Sequence, residues 1–252
     1  MRRHLPLIVV LLLAGCAARG SGRASATRLD DEYARAVRRA AVVEQSQIVT
    51  DLQRLDRSNA SLVWNTDGSK VLAVTWKSQS SYESNLRDKT QTSDAEAYVV
   101  WVTLAPQVQR FCQNYLREHP RATDADVILR LKQYLGLSAS WSYDVFLEMW
   151  VDPSDVFRPC VDPEPTDSTC NLEFATPAPM VKGIANYPAF YKNLYFGDFR
   201  IGPGVPWTGL GYTYDWGNAR SREGASEFIL SPGARYEIRR VVPTAQYCRA
   251  VD

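Results

Sequence analysis

Tyr143-Asp144-Val145-Phe146-Leu147-Glu148-Met149-Trp150-Val151 is the stretch on which the reading of this chain turns. Tyr143, Val145, Leu147, Met149 and Val151 occupy every second position. Strand side chains alternate between the two faces of a sheet, so this spacing predicts a strand with one apolar face. Asp144, Phe146, Glu148 and Trp150 point the other way. Upstream, Ala97 to Leu104 is a second strongly apolar strand centred on Tyr98-Val99-Val100-Trp101-Val102. Leu62-Val63-Trp64 and Val71 to Trp76 flank Asn65-Thr66-Asp67-Gly68, where the Asp-Gly pair supplies the positive-φ positions of a hairpin turn. Glu227 to Leu230 and Arg235 to Val242 predict a final hairpin around Ser231-Pro232-Gly233.

Helical spacing occupies the segments between. Behind a candidate N-cap at Asp30, Tyr33, Val37, Ala41, Ile48, Leu52 and Leu55 predict a helix over 31–56. Pro106 suits the first turn of a second helix, in which Val108, Phe111, Cys112, Tyr115 and Leu116 share a face. Thr123 with Asp126 forms a capping box for a third, whose core face is Val127, Ile128, Leu131, Tyr134 and Leu135 and whose stop is Gly136. Residues 78–95 are polar and predict an exposed loop. Residues 152–206 are proline-rich with little periodicity and predict long ordered loops. Separate strands, hairpins and about three helices define an α+β domain over 30–252, with a mixed or antiparallel sheet.

The chain has 252 residues, long enough for one domain with a sizeable core. Seven Trp, thirteen Tyr and eight Phe are available to fill it. Lys and Arg number 29 against 28 Asp and Glu, so no basic surplus marks a nucleic-acid partner.

The first residues read as an export signal. Met1-Arg2-Arg3 is positive, Leu5 to Leu13 is apolar, and Leu13-Ala14-Gly15-Cys16 follows. The apolar run is too short for a permanent span, which needs about 20 residues. This leader resembles those of bacterial lipoproteins, whose cut site is Leu, two small residues, then Cys. The resemblance covers sixteen residues. It implies removal of residues 1–15, lipid on Cys16, and anchoring in the cell envelope, at the outer membrane facing the periplasm. Residues 16–29, rich in Ala, Arg, Gly and Ser, are expected to be a flexible tether. Four cysteines remain, and an even count in an exported domain reads as disulfides. Of three possible pairings, Cys160–Cys170 closes a short Pro-rich loop through Pro163 and Pro165. Cys112–Cys248 then ties the C-terminus to a helix, a long closure of the kind that gains most in the chain-entropy model. No CxxC pair is present and His119 is the single histidine beyond the leader, so no metal centre is expected.

Residues 206–218, Pro206-Trp207-Thr208-Gly209-Leu210-Gly211-Tyr212-Thr213-Tyr214-Asp215-Trp216-Gly217-Asn218, are the most unusual stretch. Flat aromatic faces suit stacking on sugar rings, and Asp and Asn suit hydroxyl groups. Trp207, Tyr212, Tyr214, Asp215, Trp216 and Asn218 are therefore the candidate ligand-binding residues. The same aromatics and glycines could equally line a core. Asp215 and Glu227 lie twelve residues apart and could form the carboxylate pair of a glycan hydrolase. The run from Glu227 through Phe228-Ile229-Leu230-Ser231-Pro232-Gly233-Ala234-Arg235-Tyr236 also resembles the final catalytic strand and hairpin of ADP-ribosyltransferases. That resemblance implies that Glu227 binds a ribose and stabilises an oxocarbenium. It covers about ten residues and departs from the family at Ala225, where Glu or Gln is usual.

With no GxGxxG or P-loop, no cofactor is expected. The sequence thus points to an envelope lipoprotein carrying a non-catalytic module that binds peptidoglycan or an envelope protein, with membrane contact through Cys16. An envelope enzyme acting through Glu227 is the alternative.

Overall fold

The strand expected from Tyr143–Val151 forms in the interior of a six-stranded sheet. In the computed structural model, which describes residues 18–249 and their side chains from residue 25, the strands are β1 (Val71–Lys77), β2 (Val100–Leu104), β3 (Val145–Val151), β4 (Val156–Phe157), β5 (Tyr212–Tyr214), β6 (Glu223–Ser226), β7 (Phe228–Leu230) and β8 (Tyr236–Pro243). The large sheet has the order β4-β7-β2-β1-β3-β8, every pair antiparallel, and β5 and β6 pair apart from it. The helices are α1 (Ala18–Ala40), α2 (Gln79–Asn85), α3 (Gln107–Glu118), α4 (Asp124–Tyr134), α5 (Tyr187–Asn193) and α6 (Thr244–Tyr247). The domain is α+β, as the pattern of elements predicts.

Alternation along the strands divides the core. Val71, Ala73, Val100, Val102, Leu147, Met149, Val151, Phe228, Leu230 and Tyr236 fill one face of the sheet. Leu72, Val74, Trp76, Phe146 and Val242 fill the other and pack under α3, α4 and α6 through Val108, Cys112, Val127, Leu131 and Tyr247. Both edge strands, β4 through Val156 and β8 through Tyr236, reach the first cluster, so the sheet coils around it. Thr123 closes the expected capping box on α4, its hydroxyl accepting from Asp126 N–H while the Asp126 carboxylate accepts from Thr123 N–H.

The hairpin expected from 227–242 does not form. β7 is hydrogen-bonded on both sides, to β2 and to β4, while β8 pairs with β3 at the far edge. Residues 231–235 cross between them, held by Thr92 N–H on the Ala234 carbonyl and Tyr236 N–H on the Thr90 carbonyl, both at 2.9 Å. Coiling of the sheet is what lets so short a connection reach the opposite edge.

The helix expected over 31–56 also requires correction. Among the described residues it spans Ala18–Ala40, so residues 18–29 of the expected 16–29 tether are helical. Ala, Arg and Leu are good helix formers and outweigh Gly20 and Gly22. Ile48, Leu52 and Leu55 lie beyond the helix, where Leu52 N–H bonds the Ser168 carbonyl and Leu55 N–H the Pro165 carbonyl. Their apolar spacing reflects burial of an irregular segment against the proline-rich loops. Residues 1–15 and Cys16 lie outside the described residues.

Both disulfides join the expected partners, Cys112–Cys248 and Cys160–Cys170. The loop closed by the second is organised by Arg158, which is wholly buried. Its guanidinium donates to the Asp167 carboxylate at 2.6 Å and to the carbonyls of Gln53, Pro165, Asp167 and Thr169. One arginine thus supplies the donors that a loop without secondary structure needs.

Candidate functional site

The strand register creates a gap. β1 and β2 pair through two positions, Ala73 with Leu104 and Val74 with Thr103. Past Val74, β1 pairs with β3 alone; before Thr103, β2 pairs with β7 alone. The halves β8-β3-β1 and β2-β7-β4 therefore part, and a cavity of about 410 Å³ opens where they diverge. Side chains from both sheet faces line it, including Thr75 and Lys77 from one and Val74, Trp76 and Phe146 from the other.

Two loops roof this space, one at 135–143 and one at 199–207. Helix α1 ties them together through Tyr33. That ring meets Trp141 and Trp216 edge-on at 6.2 and 5.8 Å, and its hydroxyl donates to the Gly204 carbonyl. Gly204 has φ +81°, and a Cβ there would come within 2.8 Å of Val37 on the same helix, so glycine permits the close approach.

Glu227 stands at one end of the cavity. Because Phe228 pairs with Val102, Glu227 falls on the same sheet face as Thr103 and Val74. Trp101, Phe199 and Trp207 enclose that end; Phe199 and Trp207 lie 4.8 Å apart and both meet Trp101 edge-on. The surface Glu227 retains faces the cavity, while Oε2 is fully enclosed and lacks a hydrogen-bond partner. Burial pushes its carboxyl up to about 8. The Trp207 indole pulls the other way but falls short of hydrogen-bond geometry, so its own buried N–H also lacks a partner.

Lys77 lies at the other end with Ser78, Ser81, Ser142 and Tyr143. Burial holds its amine below the usual lysine range, and no carboxylate counters that effect. Between the two ends the walls are Val74, Val108, Leu135, Leu137 and Tyr214.

The stretch 206–218 is not the exposed aromatic surface expected of a binding loop. Of the six candidates, Trp207, Tyr212, Tyr214 and Asp215 are buried, Trp216 is half-buried and Asn218 is exposed. Its aromatic rings pack inward because the segment wraps between two cores: Trp207 belongs to the cluster with Phe190 and Ile229, and Tyr212 to that of the Cys160–Cys170 bridge. Of the six candidate ligand-binding residues, Trp207 and Tyr214 line the cavity.

Asp215 and Glu227 are not brought together. Asp215 accepts two bonds from the Arg130 guanidinium, at 2.9 and 2.6 Å, and a third from Gly217 N–H. Arg130 in turn lies over the Phe111 ring. With Asp215 held there, Glu227 is the single carboxyl lining the cavity among the described residues.

Sequence reasoning singled out Glu227, Trp207 and Tyr214 but missed Lys77, Trp101, Trp141 and Phe199. Lys77 ends an apolar strand, where a lysine ordinarily reads as solvated. The nearest available signal was Trp101, a large aromatic alternating to the face opposite Val100 and Val102.

Comparison with known proteins finds no matching protein family, no matching characterised protein and no matching solved structure.

Proposed function

We propose that this chain is an envelope lipoprotein that binds a small ligand in the cavity between the sheet halves, without transforming it. The observation that carries the reading is the Glu227 carboxyl lining an aromatic-walled space with its Oε2 enclosed and unpartnered. Buried polar groups without partners are rare in folded proteins, and a ligand is one of the few explanations for them. Concave, mostly apolar sites with a few fixed polar groups are the usual form of small-molecule sites.

The absence of a second carboxyl from the lining, among the described residues, favours binding over hydrolysis, since glycan hydrolysis uses two. Envelope anchoring through Cys16 would place cell-wall fragments within reach. That anchoring rests on the leader alone. It is checked by palmitate labelling, which Cys16→Ser should abolish.

The binding reading is tested on the chain purified from membranes in mild detergent. The protein is incubated with a small-molecule extract of the envelope, washed, then denatured, and the released compounds are identified by mass spectrometry. Thr103→Phe places a ring in the gap beside Glu227. A compound released by the wild-type chain and not by a folded Thr103→Phe variant supports the reading. Equal release from both, or none from either, overturns it.

A further inference from the structure

Resting on that reading, we propose that the ligand is a zwitterion, a peptide of two or three residues with free ends, its ammonium held at Glu227 and its carboxylate at Lys77. The cavity presents an acid at one end and an amine at the other, and neither has a counter-charge within the protein among the described residues. They do not pair with each other. Paired, they would explain their own burial; held apart along one cavity, they suit a molecule whose ammonium favours the ionised form of Glu227, releasing its proton to solvent, and whose carboxylate favours the charged form of Lys77, at a matching separation.

The separation follows from the register. Lys77 lies three residues beyond Val74 on β1, and Glu227 lies two strands from Val74 across the sheet. Strand spacing of about 4.8 Å and a rise of about 3.3 Å per residue put their Cα atoms roughly 14 Å apart. The two side chains leave opposite faces of the sheet and do not shorten that separation toward each other, so the span is one that two or three peptide residues cover, at about 3.3–3.6 Å each with a hydrogen bond at either end. A single amino acid, with its charges on one carbon, cannot reach both ends.

The walls fit the same ligand. Trp101, Phe199 and Trp207 surround the Glu227 end, and aromatic faces attract ammonium groups. Ser78, Ser81 and Ser142 surround the Lys77 end and can donate to a carboxylate. The apolar stretch between them suits apolar side chains.

The test is calorimetry on the detergent-purified chain with trileucine, its N-acetyl form, its C-terminal amide, the doubly blocked form and free leucine. Binding of trileucine, weakened about tenfold or more by blocking either end, is the expected result. Glu227→Gln should erase the cost of N-acetylation and leave that of amidation; Lys77→Met should do the reverse. These crossed effects distinguish charge recognition from general loosening, and the blocked peptides test it on the wild-type chain alone. Equal affinity for free and blocked peptides, tighter binding of blocked ones, or no peptide binding overturns the proposal. If no peptide binds but the envelope extract yields a cavity-dependent compound, the zwitterion fails and the small-ligand reading stands. If neither occurs, both fail.

Discussion

Replacing Glu227 with Gln should stabilise the protein at neutral pH, because it makes permanent the neutral state that burial otherwise imposes by holding a proton. In the unfolded chain this carboxyl titrates near 4.5, and in the fold burial raises it to about 8. Between those values the folded state holds a proton that the unfolded state has released. Stability therefore falls as pH rises across that window, by about 1.4 kcal/mol per unit. The loss is absent at pH 4, reaches about 3 kcal/mol at pH 7, and levels off near 5 kcal/mol above pH 8. Lys77 acts in the opposite sense: its lowered amine makes stability rise with pH at the alkaline side. Tyr143 also lines the cavity, and burial pushes its hydroxyl up to about 12, above that window. Lys77 and Tyr143 persist in the variant and cancel in the comparison. Urea unfolding of both proteins at pH 4, 5.5, 7 and 8.5, with disulfides intact, measures the difference. The two curves should meet at pH 4 and diverge steadily, the variant above. Parallel curves would refute the reasoning, because they would mean that Glu227 ionises freely in water rather than within a closed cavity.

Other outcomes follow from the same structure. Breaking Cys112–Cys248, which spans 136 residues, should cost about 5 kcal/mol in urea unfolding, and breaking Cys160–Cys170, which spans 10, about 3 kcal/mol. Asp215→Asn leaves the half-buried Arg130 guanidinium without its counter-charge and should destabilise by about 3–5 kcal/mol, while trileucine affinity stays unchanged. Tyr33→Ala should cost about 3–5 kcal/mol and, by releasing both roof loops, raise acrylamide quenching of tryptophan fluorescence; quenching equal to wild type would show that the roof holds without α1.

Local rules made part of this protein legible. Alternation from Val145 to Val151 placed β3 and both its faces, because a period of two is a property of any strand, whereas Tyr143 precedes the strand and packs with Trp76 on the other face. Thr123 with Asp126 fixed the start of α4, because a cap is completed within four residues. Both disulfides were readable from count and spacing. The leader carried the expectation of lipid at Cys16, and Glu227 drew notice from its own neighbours in sequence.

Tertiary structure decided what depends on partners distant in the chain. Ser231-Pro232-Gly233 looks like a hairpin turn, yet β7 is claimed on both sides by β2 and β4, and β8 by β3. Leu52 and Leu55 carry helical spacing, but the carbonyls of Ser168 and Pro165 take their backbone N–H groups. The aromatics of 206–218 look like a stacking surface, and two cores absorb them. Asp215 and Glu227 are near in sequence and part in space because Arg130, 85 residues upstream of Asp215, captures one of them. Lys77 and Glu227 stand 150 residues apart and come to share one cavity, since only a sheet whose halves diverge after two paired positions brings the ends of β1 and β7 to the same opening. Sequence patterns record which face of an element is apolar; which faces meet, and what space is left between them, is set by packing across the whole chain.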